Sequence, residues 1–429
     1  MQLYVIGAIS FHASSRVIEI LMPELSAFDK VPSNNTIQSW VLRMGLYQLS
    51  RTKEIADDWV IILDHTCQLG NQKGLVVLGI RLSHWAELKR PLVFQDLSVL
   101  MIRVVGSSTG LLVHQQLLEV QTQIGTIAAI LSDQGSDLTS GGKMFVTSQV
   151  EPAPHDNVPQ LFDANGLAIS GRTQPLVLKD FSHASSHLLK ARLEADPKWR
   201  EFLSHCGTTQ PKVKQTIWGA LAPPTQKVKG RYMNIGEMIR WGAKMLRLLD
   251  GTAGTLPAGI DRSMLKLKYG WIENYVESLE QWLEIDILRE QSLKEVRVLG
   301  YSNKTVDAIQ SGQARYRNFE SSRQMASELL ELVREQCQAI PAGVSYPGSS
   351  EVIESLIAKS KEIQGQHNRG GFTKMLLAIG TSVTKISEST LVESLLAIRE
   401  IDVRQWAKNA LGTTLASLRR NALPGTKVA

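Results

Sequence analysis

Acidic side chains follow two apolar runs of this 429-residue chain, at positions where they could bind metal ions. Asp64 directly follows residues 59–63, and Asp133 follows residues 127–131 after one serine. A carboxylate at the end of an apolar run is costly to bury unless it is paired, capped or bound to metal. Two Mg²⁺ ions about 3.5–4 Å apart, held by carboxylates, activate the attacking oxygen and stabilise the leaving oxygen in phosphodiester chemistry. The two aspartates therefore indicate a two-metal site, although an aspartate that starts a turn fits the same pattern.

Nearby residues provide an alternative ligand and possible support for this site. Asp137 could bind metal instead of Asp133, but Asp133 is preferred because Asp137 lies in a loop beside glycine. Asp180 and His183 follow the apolar residues 176–178, where a helical pattern begins. We expect Asp180 and His183 to support the site, and Asp180 could equally cap the helix that follows it.

The elements that must position these residues follow from the spacing of apolar side chains. Strands are predicted at five apolar runs, with a helix between the third and the fourth, over residues 109–125. The predicted strands contain residues 59–63, 75–80, 99–105, 127–131 and 176–178. This order is that of a ribonuclease-H-like core. The predicted fold class is therefore α/β, with a ribonuclease-H-like mixed sheet interrupted by a large all-α insertion and preceded by a helix-turn-helix segment.

The chain is longer than one hydrophobic core usually supports, so several structural units are expected. We predict a helix-turn-helix segment over residues 1–52 and a first part of the core over 53–189. An all-α insertion over 190–345 follows, then a second part of the core over 346–385 and a helical basic tail over 386–429.

The first segment shows two helical patterns around the polar turn 30–35. The second helix would begin near Thr36, after a capping Ser or Asn. As a helix-turn-helix it would present Gln38, Ser39 and Arg43 to the major groove of DNA. A pair of helices that simply pack together is the alternative interpretation.

Basic residues are concentrated in the segment 190–247, which holds 12 Lys or Arg against 4 Asp or Glu. Such a segment could neutralise phosphates, although a solvated basic face has the same composition. Trp241 and Trp271 lie nearby, where an aromatic ring could stack on an unpaired base or pack in the core. The predicted DNA contacts are Lys212, Lys214, Lys227, Lys229, Arg231 and Trp271.

Other features exclude several classes of protein. No run approaches the roughly 18 apolar residues of a membrane span, and the N-terminus lacks the basic leader of an export signal. Cys67, Cys206 and Cys337 have no paired spacing, which argues against a zinc cluster or a disulfide framework. We therefore expect a cytoplasmic protein with no membrane partner.

Together, Asp64, Asp133 and the D-x-x-H element from Asp180 to His183 resemble the DDE transposases of the retroviral-integrase superfamily. The D-x-x-H element is similar to one found in hAT-type and Mutator-type transposases and in bacterial insertion-sequence relatives. In those branches a helical insertion separates the last strand from the helix that bears the third carboxylate. The resemblance covers most of the chain.

The resemblance implies a third carboxylate on the helix after the insertion. Glu354 is preferred because Lys361 lies seven residues on, two helical turns away on the same face. That pair resembles a glutamate-lysine signature in which the glutamate binds metal and the lysine contacts DNA. Glu351 and Glu273 remain alternatives.

The implied activity is cleavage of DNA strands at transposon ends and their transfer into target DNA. Asp64, Asp133 and Glu354 would hold two Mg²⁺ ions, with Mn²⁺ as a substitute. Double-stranded DNA is the expected partner, and paired ends imply at least a homodimer. A DNA-binding regulator without catalysis and a ribonuclease-H-like nuclease are the alternative functions.

Overall fold

The structure, a computed structural model, describes residues 1–21, 30–69, 72–149, 174–226, 235–252, 255–316, 318–365 and 372–412. The chain forms two compact units. Unit 1 contains Met1–Asp180 and Tyr346–Ala429, and unit 2 contains Phe181–Ser345. The helical segment expected over residues 190–345 thus begins nine residues earlier, at Phe181.

The helices and strands fall into three consecutive groups along the chain. The first part of unit 1 contains helices α1 (Gln2–Val5), α2 (Phe11–Leu21) and α3 (Asn34–Ser50), strands β1 (Ala56–Leu69) and β2 (Gln72–Arg81), helix α4 (Leu82–Glu87), strand β3 (Ser98–Val105), helix α5 (Gly110–Ile124), strand β4 (Gly125–Ser132), helix α6 (Ser136–Ser148) and strand β5 (Leu176–Lys179). Unit 2 contains α7 (Phe181–Glu194), α8 (Pro197–Val213), α9 (Ile235–Asp250), α10 (Arg262–Tyr269), α11 (Val276–Leu299), α12 (Asn303–Gln313) and α13 (Glu320–Cys337). The second part of unit 1 contains α14 (Glu351–Gly365), α15 (Ala378–Ser382), α16 (Glu388–Ala397) and α17 (Glu400–Leu411).

Unit 1 is built on a five-stranded sheet with the order β3-β2-β1-β4-β5. The strands β1, β2 and β3 pair antiparallel, whereas β4 and β5 run parallel to β1. The parallel pairing is possible because α5 and α6 provide the crossover connections that parallel strands need. The predicted ribonuclease-H-like mixed sheet is confirmed, as is the predicted order of its strands.

One face of the sheet is covered by α5 and α6. Apolar side chains of alternate strand positions, among them Ile61, Leu63 and Ile130, form a core with Val113 and Phe145 of these helices. The sequence analysis missed α6, which contains two adjacent glycines of low helix propensity. Packing explains one of them, because a Cβ atom at Gly141 would lie 2.5 Å from the side chain of Val113.

The N-terminal helices pack against the C-terminal helices within unit 1. Tyr4, Phe11, Ile37 and Val41 share a core with residues of the last 60 positions, including Leu377 and Val403. α3 buries residues on several sides, which explains why it shows little segregation of apolar and polar side chains.

The three side chains that were predicted to face a DNA groove make contacts inside unit 1. Ser39 Oγ donates to Glu400 Oε2 at 2.8 Å, and Gln38 Nε2 contacts Met375 Sδ at 3.5 Å. The Arg43 guanidinium donates to the backbone carbonyls of Leu395 and Ile398. All three side chains thus contact residues in the C-terminal part of unit 1. α3 therefore packs inside unit 1, which is the alternative interpretation of this segment.

The described residues of unit 2 form helices and no strand. Its interior contains an aromatic cluster in which Phe202 contacts Trp241, Trp271 and Trp282. Trp282 is 1% exposed, and its Nε1 donates to Asp196 Oδ2 at 3.0 Å. The predicted all-α segment is confirmed for the described residues of unit 2.

We predict that Gly45→Ala destabilises unit 1 because α3 and the segment before α15 meet backbone to backbone. A Cβ atom at Gly45 would lie 1.9 Å from the carbonyl oxygen of Leu377, and one at Gly380 would lie 2.6 Å from the carbonyl oxygen of Gly45. Backbone cannot move aside as a side chain can, so we expect a loss of roughly 2 kcal/mol or more in the free energy of unfolding. Urea titration measures this, with Gly106→Ala as the control, since a Cβ there has no atom within 4 Å. Equal stability of the two variants would contradict the close approach.

Candidate metal centre

Three aspartates lie at the same level on neighbouring parallel strands, where the pairing of β1 with β4 and of β4 with β5 ends. Leu63 of β1 pairs with Ser132 of β4, and Ser132 pairs with Lys179 of β5. The next residues along the three strands are Asp64, Asp133 and Asp180, which we call the aspartate row. Neighbouring strands lie about 4.8 Å apart, so the backbones of adjacent members of the row are close together.

The aspartate row points to the face of the sheet opposite α5 and α6. Leu63 belongs to the core beneath those helices, and successive side chains point to opposite faces, so Asp64 points away from that core. α14 contacts β1, and none of its described buried residues belongs to that core, so α14 covers the opposite face. Glu354, in the first turn of α14, is thereby on the same side as the row.

Asp180 connects β5 to the start of α14. Its side chain is fully buried, and Oδ1 accepts a hydrogen bond from the backbone N–H of Ser350 at 3.0 Å. The carbonyl of Ser350 in turn accepts from the amides of Ile353 and Glu354. Asp180 thus fixes the first turn of α14, which carries Glu354. The amide that Oδ1 accepts from is that of Ser350, the residue immediately before α14, which is a contact through which Asp180 could support the site.

One group of possible metal ligands stands out among the residues that the structure describes. Asp180, Glu354 and His183 each offer a ligand atom, and these atoms lie within 4.8 Å of one another. His183 follows Asp180 by three residues, in the first turn of α7. Carboxylates suit Mg²⁺ and Mn²⁺, whereas an imidazole nitrogen suits transition metals, so the group fits a divalent cation.

Asp64 and Asp133 belong to the aspartate row but not to this group of three possible ligands. Asp64 lies inside β1, opposite Val76 of β2, because β1 continues five residues beyond it. Its Oδ1 accepts from the backbone N–H of His65 at 2.6 Å. Asp133 Oδ1 accepts from the backbone N–H of Gly135 at 3.0 Å, which shapes the turn into α6. Asp64 therefore sits where the pairing with β4 stops, rather than at the end of its own strand.

Asp137, the alternative to Asp133, contacts basic side chains of β1 and β2. Its Oδ2 lies 3.0 Å from Lys73 Nζ and 3.7 Å from His65 Nε2. Burial opposes ionisation of Asp137, but hydrogen bonds from Ser108 and Lys73 together with nearby positive charge lower its pKa. Burial also lowers the pKa of His65 and outweighs the attraction of Asp137. Asp137 therefore forms an ion pair with Lys73, which favours Asp133 as the metal ligand.

The alternatives to Glu354 have other partners. Glu351 accepts a hydrogen bond from Ser349 Oγ at 3.0 Å. Glu273 lies in unit 2 and pairs with Lys266 at 3.4 Å. Lys361 shares α14 with Glu354 and is exposed. Of the three glutamates, Glu354 is the one within the ligand group.

The predicted DNA contacts of unit 2 fall into two sets. Lys212 and Lys214, near the end of α8, are exposed. Lys227, Lys229 and Arg231 lie outside the described residues.

The two tryptophans that were considered for base stacking belong to the aromatic cluster. Trp271 is half-buried and stacks on His205, with ring centroids 4.9 Å apart and planes inclined by 19°. Trp241 is half-buried and donates from Nε1 to the carbonyl of Leu221 at 3.1 Å. Both rings therefore have packing roles in unit 2.

Two of the three cysteines have described side chains. Cys206 and Cys337 are buried free thiols, and the side chain of Cys67 lies outside the described part of the chain. Among the described helices, none has both the length and the apolar character needed to cross a bilayer.

Comparisons with known proteins add little to this geometry. No protein-family model matches the chain, and no curated protein sequence is similar to it. Among solved structures, a chain described as "Drosophila P element transposase strand transfer complex" matches over 88% of this chain and 89% of its own length. Its sequence identity is 9% and its TM-score is 0.39.

We predict that Glu354→Gln and Asp180→Asn each weaken Mn²⁺ binding by at least about tenfold, because each removes one negative oxygen ligand. Titration followed by electron paramagnetic resonance of Mn²⁺ measures the affinity. Glu351→Gln is the matched control on the same helix and should bind as the parent does.

A pair of Asp180 variants separates metal binding from positioning. Asp180→Asn keeps an oxygen that accepts from Ser350 N–H, whereas Asp180→Ala leaves that buried amide without its partner, at a cost of about 1–3 kcal/mol. Parent-like Mn²⁺ affinity in both Glu354→Gln and Asp180→Asn would exclude the proposed ligand group.

Proposed function

We propose that this protein is a metal-dependent enzyme that cleaves and joins DNA strands, a transposase of the DDE type. The observation that supports the proposal is the aspartate row on a ribonuclease-H-like sheet, together with a glutamate on the helix that covers the same face. Carboxylates placed on rigid strands and a helix meet the demand of phosphoryl transfer for precisely held metal ions.

Each carboxylate has its own role in the proposal. Asp64 and Asp133 lie on neighbouring strands and would share one ion, and Glu354 would complete the set across from them. Asp180 holds α14 in place through Ser350 and stands within reach of the ion bound by Glu354. His183 adds a nitrogen ligand or a hydrogen-bond donor beside that carboxylate pair.

The proposed cofactor is two Mg²⁺ ions, with Mn²⁺ as a substitute. When bound, the ions would lower the pKa of the attacking water and stabilise charge on the leaving oxygen. The protein residues would supply oxygen ligands at fixed positions, among them the fully buried Asp180. No covalent bond between protein and DNA is required.

Double-stranded DNA is the proposed partner, and the pairing of two element ends implies at least a homodimer. Lys212 and Lys214 of unit 2 are exposed and would contact backbone phosphates. The exposed Lys361, two helical turns beyond Glu354, would contact the DNA strand that is cut.

We predict that Asp64→Asn, Asp133→Asn and Glu354→Gln each reduce nicking of supercoiled plasmid DNA in Mg²⁺ or Mn²⁺. We expect the loss to exceed about 10–100-fold, which is typical even of residues that only orient a metal ligand. Each variant should still shift DNA in a native gel, because phosphate contacts made elsewhere provide non-specific affinity.

Glu351→Gln serves as the control for nicking and should retain parent activity. Parent-like nicking by both aspartate variants would overturn the proposal. Gel shifts without nicking in the parent, under either metal, would favour a DNA-binding protein without catalysis.

We also predict that replacing Lys212 and Lys214 together by alanine lowers the salt dependence of DNA binding. Removing one lysine from a backbone phosphate should reduce the slope of log K against log salt by about 1, so the double variant should reduce it by about 2. The control is Lys294→Ala with Lys304→Ala, which removes two exposed lysines from other helices of unit 2. Equal slopes for the two double variants would assign Lys212 and Lys214 to a merely solvated face.

A further inference from the structure

A polar cavity lies at the amino end of β1, away from the aspartate row. It has a volume of about 560 Å³ and is lined by the segment before β1, the end of β2, the start of α4 and residues before β3. Trp59 lines the cavity and Asp64 stands five residues further along β1. At about 3.3 Å per strand residue the two sites are roughly 17 Å apart.

Lys53 in the wall of this cavity is a buried cation. Lys53 is 8% exposed, and its Nζ donates to the backbone carbonyl of Gln48. Among the described residues no carboxylate pairs with Lys53. Buried lysines are normally paired, because an uncompensated charge is costly to remove from water.

A second cation lies beside Lys53. Arg51 also lines the cavity, is exposed, and forms no ion pair with a described carboxylate. Burial, and then the charge of Arg51, lower the pKa of Lys53 to about 8. Two like charges are thus held close together at the same opening.

The acidic residues around the cavity already have partners. Glu54 and Asp58 both bind Arg81, with Glu54 Oε1 2.5 Å from Arg81 Nη1. Asp96 accepts two hydrogen bonds from Arg90, at 2.7 and 2.8 Å. Glu87 lies 3.9 Å from His84 Nδ1. Glu54 and Asp58 share the single charge of Arg81, and Glu87 contacts a histidine that is charged only when protonated, so the formal charges around the cavity balance. Lys53 and Arg51 are the two cations of the wall that have no carboxylate partner among the described residues.

We propose that this cavity binds a phosphate-type oxyanion between Lys53 and Arg51. The hydroxyls of Thr52, Ser83 and Ser98 in the same wall can donate to the remaining oxygens. The oxyanion is a free phosphate or a backbone phosphate of bound nucleic acid, which share the same chemistry. A bound anion compensates the buried charge and relieves the repulsion between the two cations.

Isothermal titration of the full-length protein with inorganic phosphate, at constant ionic strength set with chloride, tests the site. We expect Lys53→Met and Arg51→Met each to weaken phosphate binding by at least about tenfold, because each removes a charge-assisted hydrogen bond. Lys385→Met, an exposed lysine elsewhere in unit 1, is the control and should leave the affinity unchanged. Arg51 is exposed, so its variant should fold even if the change at buried Lys53 disturbs folding.

The pH dependence gives a second measurement. Sulfate keeps its charge at alkaline pH, so its affinity for the parent should fall as the pH rises through about 8 and Lys53 loses its proton. Arg51, Glu54, Arg81, His84, Glu87 and Asp96 also face the cavity. Because Lys53→Met retains all of them, the part of the pH dependence that disappears in this variant belongs to Lys53.

A titration with a DNA duplex distinguishes the two sources of phosphate. If Lys53→Met also lowers the salt slope of DNA binding by about 1, the site takes a backbone phosphate; an unchanged slope with abolished phosphate binding indicates a free anion. The phosphate titration needs neither metal nor DNA cleavage, so it is independent of the proposed function. Parent-like phosphate affinity in folded Lys53→Met and Arg51→Met would overturn the site.

Discussion

The hydrogen bond from the amide of Ser350 to the buried carboxylate of Asp180 is the contact on which the candidate metal centre depends. It joins the end of β5 to the start of α14 across 170 positions of sequence. A buried carboxylate is costly unless it is bonded, and an amide is costly to bury unless it has an acceptor, so the two groups stabilise each other. The parallel register aligns three aspartates, and this bond brings Glu354 to the same face.

The sheet could be predicted from sequence because its strands are apolar runs separated by polar turns. All five strands contain the predicted residues, and α5 contains all but the first and the last residue of the predicted helix. The register extends this prediction, since Asp64 and Asp133 follow residues that pair with each other. By contrast, α6 could not be predicted from sequence, because glycine has a low helix propensity. Gly141 is present because a larger residue would collide with Val113, and this contact is visible only in the folded structure.

The remaining features depend on contacts between distant parts of the chain. Arg43 of α3 looks like a residue displayed on a recognition helix, yet carbonyls some 350 positions later accept its hydrogen bonds. Lys53 is one lysine in an ordinary polar segment, so its burial could not be predicted from the sequence. It is buried because residues of β1, β2 and α4 line the same cavity. Asp180 was expected to support the site, but its partner Ser350 carries no signal in the sequence. Pattern and spacing thus predict elements and candidate ligands, whereas tertiary contacts decide their roles.

The central claim is that the aspartate row and Glu354 hold divalent metal. Anomalous diffraction from crystals of the protein grown with Mn²⁺ tests it most directly, because the scattering locates the ion without reference to activity. We expect anomalous peaks at coordinating distance from the carboxylates of Glu354 and of the aspartate row. Saturating Mn²⁺ that gives peaks elsewhere on the protein and none beside these carboxylates would contradict the account.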